Sequence, residues 1–140
     1  RGAVFDFAAR VLALRRSHPV FTCESWLTGD AVDAGLSDVA WLSPDGDQMT
    51  TSDWREPRRH SFGMFLNGAA AGAEARSVLM LFNAGHHPVD FTLPRGLEAA
   101  AWRGLLDTAD PTAPLGETAA DERIPVAPFG LVVLEKVPRP

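Results

Sequence analysis

One cysteine, Cys23, is all that this chain of 140 residues contains. A single thiol excludes an internal disulfide and any cysteine-rich metal site. It fits a reducing cytoplasm, where disulfides are rare. Basic residues are few and scattered: the formal net charge is -5, and Arg15-Arg16 and Arg58-Arg59 are short clusters. Phosphate backbones are held by clustered Lys and Arg, so nucleic acid is not an expected partner. No run of about 20 apolar residues is present to cross a bilayer, and no membrane role is expected. The opening RGAVFDFAARV is broken by Asp6 and lacks the continuous apolar core of a signal peptide. Absent too are internal repeats, a phosphate-cradling loop of the Walker or dinucleotide type, and a serine in a nucleophile-elbow setting. No cofactor is expected.

What remains is ordinary globular composition, 46% apolar and 22% charged. A chain of this length suits one domain with a real core, since ~100–150 residues is the commonest domain size. Its first residue is Arg1, not methionine, which fits a domain cut from a longer chain. Val4, Phe7, Ala8, Val11, Leu12 and Leu14 recur at helical spacing and predict a helix from Val4 to Ser17 with one apolar stripe. Arg15 and Arg16 complement the dipole in its last turn. Pro19 disfavours helical geometry at His18 and ends it.

After Pro19 the texture changes to short apolar runs punctuated by Gly, Pro, Asp and Asn. Val39 to Leu42, Ser61 to Leu66, Ser77 to Asn83, Val89 to Leu93, Ala101 to Leu106 and Leu131 to Val137 read as strands. Val78 to Phe82 is apolar throughout, as a strand covered on both faces should be. Val89 to Leu93 alternates, as a half-buried strand should. Asn83 to Pro88 joins these two with a loop of hairpin length. Ala69 to Ala75 reads as an exposed connection and Asp110 to Asp121 as a long surface loop. Short strands with frequent turns predict an all-β, antiparallel β-sandwich preceded by one helix.

Glycoside hydrolysis needs two carboxyl groups flanking the scissile bond. The candidates are Glu24, Asp30, Asp33, Asp38, Asp45, Asp47, Asp53, Glu56, Asp90 and Asp107, most of them in loop-like sequence. Acidic residues in such settings are usually solvated, and no catalytic residue is assigned. His86 and His87 are adjacent and diverge from one another, which does not suit joint metal binding. Of the four tryptophans, Trp41 and Trp102 fall on strands and are expected in the core. Trp54 follows Thr50-Thr51-Ser52-Asp53, which reads as a polar surface turn. Trp54, with Asp53 beside it, and Trp26 are the candidates for contacting sugar or a neighbouring domain.

The stretch WLSPDGDQMTTSDW, Trp41 to Trp54, is followed by FGMFLNG and then VLMLFNAGHHPVDFTLP. This series resembles the C-terminal region of bacterial glycogen debranching enzymes, isoamylase-type members of the α-amylase superfamily. The matching residues are Trp41, Pro44, Asp45, Gly46, Met49, Thr50, Asp53, Trp54, Leu66, Asn67 and Gly68. Leu81 to Ala84, His87 to Val89, Trp102 and Leu106 to Thr108 continue the series. The resemblance implies a parent enzyme that hydrolyses α-1,6 branch linkages, with its catalytic barrel upstream of Arg1. Residues 1–18 would then be the last helix of that barrel and residues 19–140 a non-catalytic β-sandwich; the alternatives are a carbohydrate-binding module that stacks glucan on exposed tryptophan, or a purely structural stability domain. Implied partners are the barrel and α-glucan. Where relatives often carry an acidic residue after Leu-Asn-Gly, this chain has Ala69-Ala70-Ala71. A freed helix stripe is expected to fold onto the sandwich or to drive self-association.

Overall fold

The computed structural model describes residues 2–33, 36–94, 101–113, 115–119 and 122–137. Helix α1 runs from Ala3 to Ser17, and His18 turns extended (φ -122, ψ 102), as the following proline demands. Among the described residues, a 3-10 turn at Pro19–Phe21 leads to ten strands, one short helix and a second 3-10 turn at Gly68–Ala70. The strands are β1 (Ala31–Asp33), β2 (Leu36–Ser37), β3 (Val39–Leu42), β4 (Ser61–Leu66) and β5 (Val78–Asn83). They continue with β6 (Val89–Thr92), β7 (Ala101–Asp107), β8 (Glu117–Thr118), β9 (Arg123–Val126) and β10 (Gly130–Val137). Helix α2 spans Thr51–Arg55.

All strand pairings among the described residues are antiparallel. The main sheet has the order β3-β4-β5-β10-β7-β8, and β6 pairs with β9 in a separate two-stranded sheet. Alternation along the central strands divides the core in two. On one face Phe65, Leu79, Leu81, Trp102, Val132 and Leu134 meet Phe91, Leu93, Ile124 and Val126 of the smaller sheet. On the other face Leu66, Val78, Leu106 and Val133 meet Val20, Phe21 and the helix side chains Phe7, Val11 and Leu14. The expected sandwich is present, with a helical layer on the outer face of its larger sheet.

Specific polar contacts seat α1. His18 is buried, and its Nε2 lies 2.7 Å from Glu135 Oε2 on β10. Glu135 Oε1 also accepts from Arg76 at 2.8 Å and Arg103 at 3.1 Å. The register between β7 and β10 slips so that Leu105 is the extra residue of a bulge. Arg10 of α1 donates to the Leu105 carbonyl at 3.0 Å and to the Pro111 carbonyl. The helix stripe is therefore turned inward at Phe7, Val11 and Leu14. Val4, at the mouth of a depression shared with Phe82 and Phe129, stays 83% exposed, and Leu12 stays 56% exposed.

Three sequence expectations need correction. The loop from Asn83 to Pro88 is no hairpin: it carries the chain from the main sheet to the smaller one, where β6 pairs with β9. Buried Asn83 organises the crossing, its Nδ2 donating to the carbonyls of His87 (2.8 Å), Val126 (3.2 Å) and Ala127 (3.2 Å). Trp41 is not core but 37% exposed, whereas Trp102 is fully buried as expected. The expected polar surface turn before Trp54 is present, as the short capped helix Thr51–Arg55. The reading of Asp110 to Asp121 as loop misses β8, while Pro114, Ala120 and Asp121 lie outside the described residues. Replacing Asn83 with alanine strands buried carbonyls, and a loss of about 2 kcal/mol in urea unfolding is expected.

Candidate functional site

The Trp41–Trp54 segment folds around one tight turn. Ser43 N donates to Asp47 O (2.8 Å) and Gly46 N to Ser43 O (2.9 Å). Gly46 has φ +84, and a Cβ there would stand 2.7 Å from the Leu93 carbonyl oxygen, so only glycine fits. Thr92 N donates to Pro44 O at 2.8 Å, fastening the turn to β6. The returning chain, bridged to Leu42 at Gln48, places Met49 N 2.8 Å from Trp41 O, which sets α2 beside Trp41.

A capping box holds α2. Thr50 Oγ1 accepts from Asp53 N at 3.2 Å, and Asp53 Oδ2 accepts from Thr50 N at 2.8 Å. Arg59 Nη2 donates to Asp53 Oδ1 at 3.0 Å. The Thr50 backbone bond, with Thr50 hydroxyl and Arg59 assisting, holds the Asp53 carboxyl below its usual range. Asp53 is a positioning group for Trp54, which is 52% exposed.

The aromatic rings converge. Trp54 meets Trp41 edge-on, with centroids 5.7 Å apart and planes at 73°. Phe62 lies 5.8 Å from Trp41 and 6.0 Å from Trp54, and stacks on Phe82 at 4.9 Å and 23°. Trp41 pairs with Met64, two positions from Phe62, so these rings share the sheet face that carries α1. The result is an exposed two-indole corner backed by two phenylalanines.

The remaining candidates lie elsewhere. Trp26 is 94% exposed, on a segment pinned by Asp38, and joins none of these ring contacts. Asp38 accepts from the backbone N–H groups of Thr28, Gly29 and Val39 at 2.7–2.8 Å. The Thr28 bond leads in holding its carboxyl below the usual range, against the opposing effect of burial. Leu66 is core, Asn67 caps the 3-10 turn at Gly68–Ala70, and a Cβ on Gly68 would stand 2.2 Å from the Ala75 carbonyl oxygen. These three motif residues build a turn at the end of β4 opposite Phe62. Pro44, Asp45 and Gly46 likewise shape the chain. Among the described residues no cluster of three or more His, Cys, Asp or Glu is arranged to hold a metal ion. His86 instead meets Phe129 edge-on at 4.9 Å. The side chain of Asp33 lies outside the described residues.

Sequence reasoning missed Glu135 and its partners His18, Arg76 and Arg103. The available signal was an acidic residue inside LVVLEKV, at a position that alternation assigns to the interior. It also missed Phe62 and Phe82 as parts of the aromatic corner, because only register reveals that they stack. No helix among the described residues is long and apolar enough to cross a membrane.

Comparison with known proteins gives consistent matches. Residues 38–124 match the family model described as "Isoamylase, C-terminal". The chain is 36% identical, over 93% of its length, to the "Glycogen operon protein GlgX homolog" of Mycobacterium tuberculosis, and covers 20% of that protein. It is 32% identical over 67% of its length to the "Glycogen debranching enzyme" of Pectobacterium carotovorum, covering 12% of it. Against the "Isoamylase" of Pseudomonas amyloderamosa it is 27% identical over 76% of its length, covering 13%. The chain thus spans a fifth or less of the length of these relatives.

Proposed function

The chain belongs to the isoamylase C-terminal family, and from that premise we propose that it is the non-catalytic end module of a glycogen-debranching hydrolase. The parent hydrolyses α-1,6 branch linkages in glycogen or its phosphorylase-trimmed limit dextrin, in the cytoplasm. Its catalytic barrel precedes residue 1. Residues 1–18 close that barrel as its last helix, and residues 19–140 form the sandwich.

One observation carries the docking part of this reading: α1 is apolar on two sides. Phe7, Val11 and Leu14 rest on the sheet, while Leu12, about 100° around the helix from Val11, is 56% exposed, and Phe5 on the same side as Leu12 is 53% exposed. A helix apolar on more than one face belongs between two layers, and the sandwich supplies one. The upstream barrel supplies the other. The most buried carboxylates among the described residues, Asp38 and Glu135, are engaged in structural hydrogen bonds and ion pairs, which supports a supporting role without catalysis.

The test compares the parent with the 140-residue chain on limit dextrin, reading new reducing ends. The parent should release them and the chain alone should not; release by the chain at the parent's rate would overturn the proposal. Leu12→Glu should sharply lower the soluble yield of the parent. In the isolated chain the same exposed substitution should shift stability by no more than about 0.5 kcal/mol. Equal tolerance in both would remove Leu12 from the interface.

A further inference from the structure

We propose that the corner formed by Trp41, Trp54 and Phe62 is a binding platform for a linear α-1,4-linked glucan. The corner is built before any ligand arrives. Trp41 is fixed on β3, Trp54 on a capped helix, and Phe62 is backed by Phe82. Little side-chain freedom is left to lose on binding, which favours even a weak ligand. The two core clusters do not include these indoles, so the sandwich does not use them as filling. Two half-exposed indoles side by side form an apolar surface of the kind that marks a binding site.

The chemistry around the rings selects the ligand. A pyranose ring has an apolar C–H face that lies on an aromatic ring and a rim of hydroxyls that needs polar partners. Here the polar rim is the Asp53–Arg59 pair, each side chain 26% exposed, with the Thr50 and Ser52 hydroxyls 3.1 Å apart beside it. Because Asp53 and Arg59 neutralise each other, the rim suits a neutral hydroxylated ligand better than an anion. The 73° angle between the indoles selects further. An α-1,4 glucan winds, so successive sugar faces are inclined to one another, whereas a β-1,4 chain is a flat ribbon that needs coplanar rings.

The choice of α-glucan over other wound neutral sugars rests on the debranching reading above. The test needs only this chain. Maltoheptaose is titrated while tryptophan fluorescence and backbone amide shifts are followed, and mobility is measured in native gels containing glycogen. Quenching, shifts at Trp41, Trp54 and Phe62, and retardation by glycogen are expected. Trp54→Ala should weaken binding at least about tenfold, the scale of one lost contact of ~1.4 kcal/mol. Trp54→Phe should retain part of the affinity and Trp26→Ala all of it. Unchanged amide spectra away from α2 would show that the variants are folded.

No response to millimolar maltoheptaose overturns the proposal and returns the corner to a contact with the upstream domain. Equal binding of cellohexaose overturns the α-glucan assignment. Neither result touches the reducing-end assay on the parent. A parent without debranching activity, conversely, leaves the titration of this chain as it stands.

Discussion

Trp102→Ala is expected to destabilise the domain by about 3–5 kcal/mol, the range for emptying a large aromatic from a core. Trp102 is fully buried on β7, with Phe65 edge-on at 6.5 Å and 80°. It sits in the layer between the two sheets, where Phe91, Ile124 and Val126 arrive from the smaller one. Removing the indole leaves a cavity that this layer cannot close without moving β6 and β9 together. Domains of this size have a total stability of about 5–15 kcal/mol, so the variant should melt roughly 10 °C or more below the parent sequence. Thermal unfolding by circular dichroism checks this, and Trp102→Phe should recover part of the loss. An unchanged melting temperature would mean that the sheets do not pack through Trp102.

The second large effect is expected at Glu135. This carboxylate is 5% exposed and faces His18, Arg76 and Arg103. Glu135→Ala leaves buried His18 without its acceptor, while the two arginines, 46% and 42% exposed, can turn to water. Breaking a buried pair costs about 3–5 kcal/mol, and the exposed arginines argue for the low end, about 3 kcal/mol. Because His18 ends α1 and Glu135 lies on β10, the helix should loosen first. Hydrogen exchange in residues 3–17 should rise before that of the central strands.

Glu135 also gives the domain a pH signature. Burial pushes its carboxyl up, but the His18 hydrogen bond and the Arg76 charge outweigh that, and the net direction is down. A carboxyl lowered in the folded state adds stability above its unfolded value, near 4.3, and that stability is lost as pH falls through the folded value. Urea midpoints should therefore hold from neutral pH to about pH 5 and then drop. Asp38 and Asp53, lowered by backbone hydrogen bonds, act in the same sense. Glu135→Gln should be less stable at neutral pH yet lose less on acidification. Parallel curves for both proteins would assign the acid sensitivity to other carboxyls.

Local pattern in the chain was enough for the helix and for six strands. The 3.6-residue spacing of Phe7, Val11 and Leu14, ended by Pro19, is a property of neighbouring residues, and so is the alternation of Val89 to Leu93. The motif from Trp41 to Gly68 was enough for the family, and Gly46 and Gly68 show why it is constrained: a side chain at either would collide with backbone. What the chain could not disclose is non-local. Whether the Asn83–Pro88 loop makes a hairpin or a crossing depends on β9, some thirty residues on, competing for β6. Glu135 looks surplus in an apolar strand until His18, Arg76 and Arg103 converge on it from three other segments. Trp41 reads as core by composition, yet its strand lies at the sheet edge and its ring faces α2. Burial and aromatic contact are set by which surfaces meet, and only the tertiary structure decides that.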